Sequence, residues 1–238
     1  RPYVDVTLGV VAAFGGRIEE EGERIYRVWP SSLDAGGSGR VRVEGDWSAA
    51  AYPAAAAALT GGEVTLEGLV RDSRQGDRRF LELLEEMGAG VSWQGDEVTI
   101  RGDGSGGLRG IEADLSSMPD QVPTLAALAP FARGTTRIFN VAHLRIKESD
   151  RLEAMATELR KTGAEVEEGP DWLRIPGIWA EDEPPSSPVR IDPRGDHRIA
   201  MSLALVGLRR PGIEVTAPEV VGKSYPGFWR DLEQLTGR

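Results

Sequence analysis

The chain has 238 residues, a length that suits one large domain or two modest ones. Its 28 lysines and arginines face 38 aspartates and glutamates, and the net charge of −10 argues against nucleic-acid binding through a basic face. With no cysteine and two histidines, disulfides, thiolate nucleophiles and histidine-rich metal sites are excluded. No apolar run approaches the roughly 18 residues of a membrane helix, so we expect a soluble, cytoplasmic protein without a membrane partner.

In chain order, the sequence predicts helices that alternate with short strands. A helix ending in AAFGG, at Gly15, precedes a hairpin whose second strand is IYRVW. The segment DWSAAAYPAAAAAL then begins a helix at Asp46, followed by the strand EVTL. The next helix ends at Gly88, before a second hairpin, and its apolar residues recur at helical spacing: Phe80, Leu83, Leu84 and Met87. Each final glycine is expected in the left-handed position that ends a helix.

The same order of elements then recurs. A helix from Asp120 precedes the strand TTRIF, and a helix ending at Gly163 precedes a third hairpin. The last copy begins with a helix at Asp196 and ends with the helix WRDLEQLTGR. Equivalent glycines and aspartates recur about every 75 residues, so the sequence predicts an α/β fold of βαβαββ units that share one core. Residues 102–107 are expected to form a flexible loop, and 181–188 a proline-rich connection between copies.

The repeats differ most at the starts of the aspartate-marked helices, where chemistry is expected. For Asp46 the favoured role is that of an N-cap, which accepts a backbone N–H. For Asp120, capping and function are equally open. Asp196 is followed by His197 and Arg198, and a cation at a helix N-terminus opposes the helix dipole unless an anion offsets it. Arg198 is therefore a candidate anion ligand.

The stretch HLRIKESDR, residues 143–151, predicts a second cationic helix start. Lys147 and Arg151 are four residues apart and would share one helix face. Glu148 and Asp150 could simply pair with them, as in an ordinary solvated helix. The last copy places another cation beside a helix start, in VVGKSYPGF. The pattern predicts three cations at helix N-termini, which are ready-made anion sites: Arg151, Arg198 and Lys223.

Several of these motifs, in this order, resemble the enolpyruvyl transferase family: RPYVDVTL, VEGDWSAAAY, DSRQGD, MPD, LRIKESDR, GDHRIAM and GKSYPGF. The resemblance covers nearly the whole chain and implies two domains of βαβαββ units, an inside-out α/β barrel, with helix N-termini facing a cleft. Residues 1–44 would be the remnant of the N-terminal domain and 45–238 most of the C-terminal domain. The family's PGSKS, arginine-bearing glycine-rich and SSQ-type motifs are absent. We therefore expect a truncated chain, inactive alone, whose partner is the missing half.

The resemblance implies transfer of the enolpyruvyl group from phosphoenolpyruvate to the 5-hydroxyl of shikimate 3-phosphate, with release of phosphate. The reaction belongs to aromatic amino acid biosynthesis and needs neither metal nor organic cofactor, and the full-length protein would be a monomer. Asp120 would be the base at the hydroxyl, and Glu148 would handle the proton at the C3 methylene. Lys147 would lie between the acceptor and the proton transfers.

The resemblance also implies a set of substrate ligands. Three cations would hold the carboxylate and phosphate of phosphoenolpyruvate: Arg151, Arg198 and Lys223. Tyr3 would lie near the shikimate ring. His143, asparagine in some members, would face the phosphate of the acceptor, and His197 would lie beside the cluster.

Three alternatives stay open at the level of sequence. One is a family member that uses UDP-N-acetylglucosamine as the acceptor. Another is a non-catalytic homologue that binds anions without turnover. The third is a repeat-built scaffold whose cations only pair with neighbouring carboxylates, in which case charge reversal at Arg198 would leave ligand binding unchanged.

Overall fold

The computed structural model describes residues 2–22, 24–34, 39–103, 107–177 and 187–237, so residues 104–106 of the expected loop and 181–186 of the expected connection lie outside the described part. The helices within it are α1 (Pro2–Ala13), α2 (Trp47–Thr60), α3 (Phe80–Glu86), α4 (Val122–Leu128), α5 (Arg151–Lys161), α6 (His197–Arg209) and α7 (Phe228–Thr236). None of these described helices is long and apolar enough to cross a bilayer.

The strands form small open sheets. Their bounds are β1 (Arg17–Glu20), β2 (Tyr26–Trp29), β3 (Glu63–Leu66), β4 (Gly90–Gln94), β5 (Glu97–Arg101), β6 (Glu112–Asp114), β7 (Thr135–Phe139), β8 (Glu167–Glu168), β9 (Leu173–Pro176), β10 (Val189–Ile191) and β11 (Ile213–Val215). The sheet orders are β1-β2, β3-β5-β4, β6-β7-β9-β8 and β10-β11. No sheet closes into a barrel within the described residues.

One unit displays the predicted βαβαββ order in full. Strand β6 pairs in parallel with β7 after the crossover through α4, and α5 then leads into the antiparallel hairpin of β8 and β9. The last copy repeats the parallel pair, β10 with β11, on either side of α6. The copy that contains α2 and α3 lacks its first strand: residues 39–46 form no strand, although Gly45 N donates a hydrogen bond to Gly68 O.

The helix ends follow the predicted glycine pattern. Gly15, Gly88 and Gly163 have φ angles of 76°, 107° and 91°, in the left-handed region that costs glycine little. Each lies two residues beyond the end of a helix and leads the chain into the next hairpin. The prediction is confirmed at all three positions.

The core is built around the aspartate-marked helices α2, α4 and α6. Helix α4 packs against α6, and both contact α2. Every residue of α4 is buried, as are nine residues of α2 and nine of α6. Alanines on α2 and α4 allow this close approach because their side chains are small. The copies therefore share one hydrophobic core, as predicted, and strand residues such as Ile100 and Ile138 contribute to it.

The N-terminal part packs more loosely than the rest. Helix α1 has no buried residue, and the hairpin of β1 and β2 pairs with no other sheet among the described residues. The hydrophobic core begins at Trp47. Apolar side chains remain exposed along this segment, among them Val10, Val28 and Leu33.

The structure corrects three of the predicted helix starts. Asp120 is no N-cap, since it lies within the 3-10 turn Pro119–Gln121 and α4 begins only at Val122. Lys147 lies outside α5, because the Asp150 carboxylate accepts the N–H of Glu153 and begins the helix at Arg151. Lys223 ends the 3-10 turn Pro218–Lys223, and Pro226 and Gly227 separate it from α7. Lys147 and Lys223 therefore lie in turns and not at the first residues of α-helices.

Candidate active site

Arg151 forms the centre of a charged cluster. Its side chain is 1% exposed and begins α5. Nε donates to Asp196 Oδ2 at 2.8 Å, Nη1 to Asp120 Oδ1 at 2.8 Å and Nη2 to Glu148 Oε2 at 2.7 Å. One planar guanidinium is thus surrounded by three carboxylates, an arrangement that matches the fixed geometry of its five N–H donors.

Asp196 holds this arrangement from the start of α6. Its carboxylate is fully buried, caps the helix by accepting the Arg198 N–H at 2.9 Å, and also accepts the Ser149 hydroxyl at 3.1 Å. Capping by Asp46 is the equivalent feature in α2, where the carboxylate accepts the Ser48 N–H at 2.8 Å. Both capping roles agree with the sequence pattern, but only Asp196 also binds an arginine.

Asp120, which caps no helix, accepts hydrogen bonds from three donors. It accepts the Tyr3 hydroxyl at 3.0 Å, Arg198 Nη2 at 3.0 Å and Arg151 Nη1 at 2.8 Å. Burial opposes ionisation of this carboxyl, but Arg198 and Arg151 outweigh it and hold its pKa below the ordinary value. In this arrangement Asp120 is an ionised group and a hydrogen-bond acceptor for both arginines.

Glu148 links Arg151 to Lys223. Its carboxylate accepts hydrogen bonds from Arg151 and from Lys223 Nζ, and the two cations reach it from different copies of the repeat. The hydrogen bond from Lys223 outweighs burial and, with help from Arg151, lowers the pKa of Glu148 to about 2. The sequence had left open whether these cations bind anions or pair internally, and here each one pairs.

Tyr3 approaches the cluster from α1. The residue is 55% exposed, yet burial of the hydroxyl and the charge of Asp120 raise its pKa above the ordinary tyrosine value. The hydroxyl therefore stays protonated and donates to Asp120. It is the contact through which the loosely packed N-terminal part reaches the site.

Lys147 and the two histidines lie near the cluster and differ in exposure. Lys147 is exposed, and its charge acts on both Asp120 and His143. The pKa of His143 is lowered by burial and then by Lys147. His197, the first residue of α6, is buried, and burial followed by the charge of Arg198 lowers its pKa. Both imidazoles are therefore neutral at pH 7, and both lie within the field of the cluster.

The structure adds residues that the sequence analysis did not single out as site residues. The hydroxyl of Tyr52 is buried on α2 beside the Arg198 guanidinium, and burial raises its pKa to about 12. Asp77 lies buried between α2 and the turn that carries Asp120. Both end motifs that carry the family resemblance, VEGDWSAAAY and DSRQGD, but an alanine-rich helix and a polar turn gave no sign of a role for either side chain.

Arrangements of this kind are uncommon as purely structural features. Burying charges costs more than their attraction commonly returns, so a buried ion cluster is weak evidence for a stabilising role. Carboxylates whose pKa values are lowered by nearby cations, as for Asp120 and Glu148, are instead enriched at sites that bind or transform charged ligands. The geometry defines a site in which acids and cations alternate near the starts of α4, α5 and α6 and at the turn that ends in Lys223.

Comparisons with known proteins agree with the fold and place the chain among the enolpyruvyl transferases. An EPSP synthase from Acinetobacter baumannii superposes with a TM-score of 0.73 at 32% identity, over 96% of this chain and 53% of that one. The enolpyruvyl transferase NikO from Streptomyces tendae, at 23% identity and a TM-score of 0.70, shows the fold alone.

Sequence comparison narrows this class to one family. The profile of EPSP synthase (3-phosphoshikimate 1-carboxyvinyltransferase) matches residues 1–232. The 3-phosphoshikimate 1-carboxyvinyltransferase of Syntrophobacter fumaroxidans is 50% identical over 234 residues, and that of Methanopyrus kandleri 47% over 240. The chain belongs to the EPSP synthase family. The two matches cover 98% and 99% of this chain but only 53% and 52% of the relatives. The chain therefore spans about half of their length.

Proposed function

We propose that the whole protein transfers the enolpyruvyl group of phosphoenolpyruvate to the 5-hydroxyl of shikimate 3-phosphate and releases phosphate. The observation that supports this most is the cluster itself: Asp120 and Glu148, bridged by Arg151, each also contact a further cation. The reaction needs a base for the acceptor hydroxyl, a proton for the C3 methylene and cations for two anionic substrates. Both carboxylates and three of the cations lie in one connected network.

Asp120 is the proposed base. The acceptor oxygen attacks C2 of phosphoenolpyruvate as its proton passes to the Asp120 carboxylate. Glu148 supplies the proton to C3, which gives a tetrahedral ketal with a C3 methyl group. The C2–O bond to phosphate then breaks as the Glu148 carboxylate takes a proton back from C3, which restores the C=C bond of the enolpyruvyl product. Acid and base groups in such positions commonly contribute about 10²–10⁴-fold each. Lys147, exposed beside Asp120, supplies positive charge near the acceptor.

Because the pKa values of Asp120 and Glu148 are lowered, substrate binding has a role in raising them before proton transfer. The Arg198 and Lys223 cations are the ones that hold Asp120 and Glu148 ionised. When a substrate phosphate or carboxylate binds these cations, it competes with the protein carboxylates for their hydrogen bonds. The pKa of Asp120 and that of Glu148 then rise toward the range in which proton transfer is efficient. Substrate binding thereby makes Asp120 a better base and lets Glu148 carry a proton.

The remaining assignments follow the family resemblance. Arg151, Arg198 and Lys223 are proposed to hold the carboxylate and phosphate of phosphoenolpyruvate. Tyr3 and His143 are proposed to face the ring and phosphate of shikimate 3-phosphate, with His197 beside them. Arg151 is fully occupied by carboxylates, so its part in anion binding requires Glu148 or Asp120 to move away from it.

The organisation of the whole protein is also part of the proposal. Residues 1–44 would belong to the N-terminal domain and 45–238 to the C-terminal one, which agrees with a core that begins at Trp47. The other half would supply the opposite wall of the site, so this chain alone would not turn over. The full-length protein is proposed to be a cytoplasmic monomer, which sedimentation and cell fractionation test.

The test measures phosphate release from phosphoenolpyruvate by the full-length protein, with shikimate 3-phosphate and UDP-N-acetylglucosamine as separate acceptors. We expect release with the shikimate acceptor only, and losses of about 10²–10⁴-fold in kcat for Asp120→Ala and Glu148→Gln. Asp72→Asn removes an exposed charge away from the cluster and should behave as wild type. Binding of phosphoenolpyruvate without turnover of either acceptor would reject the proposal in favour of an anion-binding homologue.

A further inference from the structure

A second buried carboxylate, Asp77, lies behind the proposed base. It sits in the 3-10 turn Gly76–Arg79, is 7% exposed and accepts a hydrogen bond from the Ser48 hydroxyl in the first turn of α2. The amide of Gln121, the residue after Asp120, faces the same carboxylate. Asp77 therefore lies between the start of α2 and the turn that carries the proposed base.

The turn around Asp77 is held tightly in place. The Gln75 side chain accepts the N–H of Trp47 at 3.0 Å and donates to Gly45 O at 2.9 Å, which fastens the turn to the start of α2. On the other side, a Cβ on Gly76 would lie 2.7 Å from Ser117 O, so only glycine permits this approach. Asp77 has little freedom to move away from its neighbours.

Asp77 has no close cation of its own. Within the described part of the chain no lysine or arginine nitrogen lies within 4.0 Å of it, and the positive charge that favours its ionised form comes from Arg198. Arg198 in turn donates directly to Asp120 at 3.0 Å. One arginine thus acts on two carboxylates: the half-buried Asp120, which it contacts, and the buried Asp77, at longer range.

The pKa values of the two carboxyl groups are shifted in opposite directions. The pKa of Asp120 is lowered, whereas burial raises the pKa of Asp77, and the charge of Asp120 raises it further. Neighbouring carboxyl groups whose pKa values differ in this way commonly take different roles in acid–base chemistry. Other groups that face the pair from neighbouring elements are Tyr3, Tyr52, His143, Lys147 and Arg151.

We propose that Asp77 is a positioning residue for the transfer reaction: its carboxylate shares the Arg198 cation with Asp120 and so sets how strongly Asp120 accepts the proton of the acceptor hydroxyl. Asp77 has this role only if Asp120 is the base of the proposed function. With Asp77 ionised, part of the Arg198 field is offset and Asp120 is the stronger base. With Asp77 neutral, Arg198 acts on Asp120 undiminished and binds a substrate anion more strongly.

The test compares Asp77→Asn with wild type in the full-length protein. The substitution keeps the shape and the acceptor for Ser48 but removes the charge. We expect kcat to fall by about threefold to tenfold, because Asp120 is then the weaker base, while KM for phosphoenolpyruvate falls or stays unchanged. Asp72→Asn, an exposed aspartate in the preceding loop, is the matched control and should change neither constant. A rise in KM together with lost thermal stability would indicate a merely structural residue and overturn the inference.

A pH profile makes the test sharper. Because the pKa of Asp77 is raised, its proton is taken up before that of Asp120 as the pH falls. Below that point wild type also carries a neutral Asp77, so the ratio of the wild-type kcat to that of Asp77→Asn should approach one. Ser48→Ala removes a hydrogen bond to the ionised form and should move this convergence to higher pH. A ratio that is constant with pH would contradict the inference.

The shared cation can be tested without turnover. Carbon-13 NMR of aspartate carboxyls in this chain should reveal one group that titrates above the ordinary range and is absent from Asp77→Asn. In Arg198→Gln that titration should move to still higher pH, since the shared cation is lost. If the full-length wild type is inactive, the proposed function fails on its own account. If Asp77 titrates at the same pH in wild type and in Arg198→Gln, the inference that it shares the Arg198 cation is rejected. That result does not depend on whether the full-length protein is active.

Discussion

The Arg151 guanidinium donates from Nε to the Asp196 carboxylate at 2.8 Å, and the two side chains are 1% and 0% exposed. They begin helices in successive copies of the repeat, α5 and α6, and are 45 residues apart in the chain. A buried ion pair of this kind contributes little net stability, but loss of one partner leaves an uncompensated buried charge. The pair thus fixes Arg151, and Arg151 places Asp120 and Glu148.

Removal of the Asp196 carboxylate should destabilise the fold strongly. Asp196→Ala leaves Arg151 with a buried unpaired Nε and removes the cap of α6, so we expect a loss of about 3–5 kcal/mol in the free energy of unfolding. Urea unfolding of this chain measures it. The control is Glu153→Ala, which breaks a partly exposed pair with Arg194 and should cost about 0–1 kcal/mol. Equal losses in the two variants would contradict the central role of the buried pair.

Glu148 should make stability depend on pH in acid. Its pKa is about 2 in the folded protein against an ordinary value of 4.5, so the stabilisation is present above the unfolded-state pKa and is lost as the pH falls toward 2. Because solvent screens this partly exposed group, we expect about 1 kcal/mol rather than the full shift. Wild type should exceed Glu148→Gln in unfolding free energy by that amount at pH 6.

The same comparison at lower pH supplies its check. Urea midpoints of wild type and Glu148→Gln should converge as the pH falls from 4.5 toward 2, because both then carry a neutral side chain at position 148. A difference that persists unchanged at pH 3 would mean that the hydrogen bond from Lys223 does not act through the charge of Glu148.

Lys223 should matter for the donor substrate more than for the fold. Lys223→Met removes the cation that pairs with Glu148, and in the full-length protein we expect KM for phosphoenolpyruvate to rise by about tenfold, the equivalent of one charge-assisted hydrogen bond. Arg190→Gln removes a cation that is 76% exposed on β10 and serves as the control. A tenfold rise in both variants would indicate a general effect of net charge.

Two glycine substitutions test how the packing limits the chain. Gly207 lies within α6, and a Cβ there would meet Ile213 Cβ at 3.5 Å, an ordinary contact. Gly207→Ala should therefore stabilise the chain by about 0.5–1 kcal/mol through helix propensity. A Cβ on Gly177 would overlap Ala132 O, so Gly177→Ala should destabilise it, and thermal unfolding should separate the two in opposite directions. Stabilisation by both would show that β9 ends less tightly against Ala132 than described.

Much of the fold and the types of the site residues could be predicted from the sequence. Apolar spacing and terminal glycines predicted the helices because these signals depend on neighbours a few residues apart. The recurrence of Asp46, Asp120 and Asp196 about every 75 residues then predicted that the βαβαββ unit repeats. The family motifs then supplied the residues of the candidate site and their proposed roles. The placement of Lys147 and Lys223 at helix starts was wrong, because the N-cap at Asp150 and the break at Pro226 set later boundaries.

Only the tertiary structure determined which charges meet. Asp120 binds Arg198 across 78 residues and Arg151 across 31, and these distances depend on how α4, α5 and α6 pack around one core. The sharing of Arg198 between Asp120 and Asp77 arises in the same way. Local patterns select helices and strands, but the pKa of a buried acid depends on burial and on partners from distant copies of the repeat. Those partners meet only when the copies have packed together.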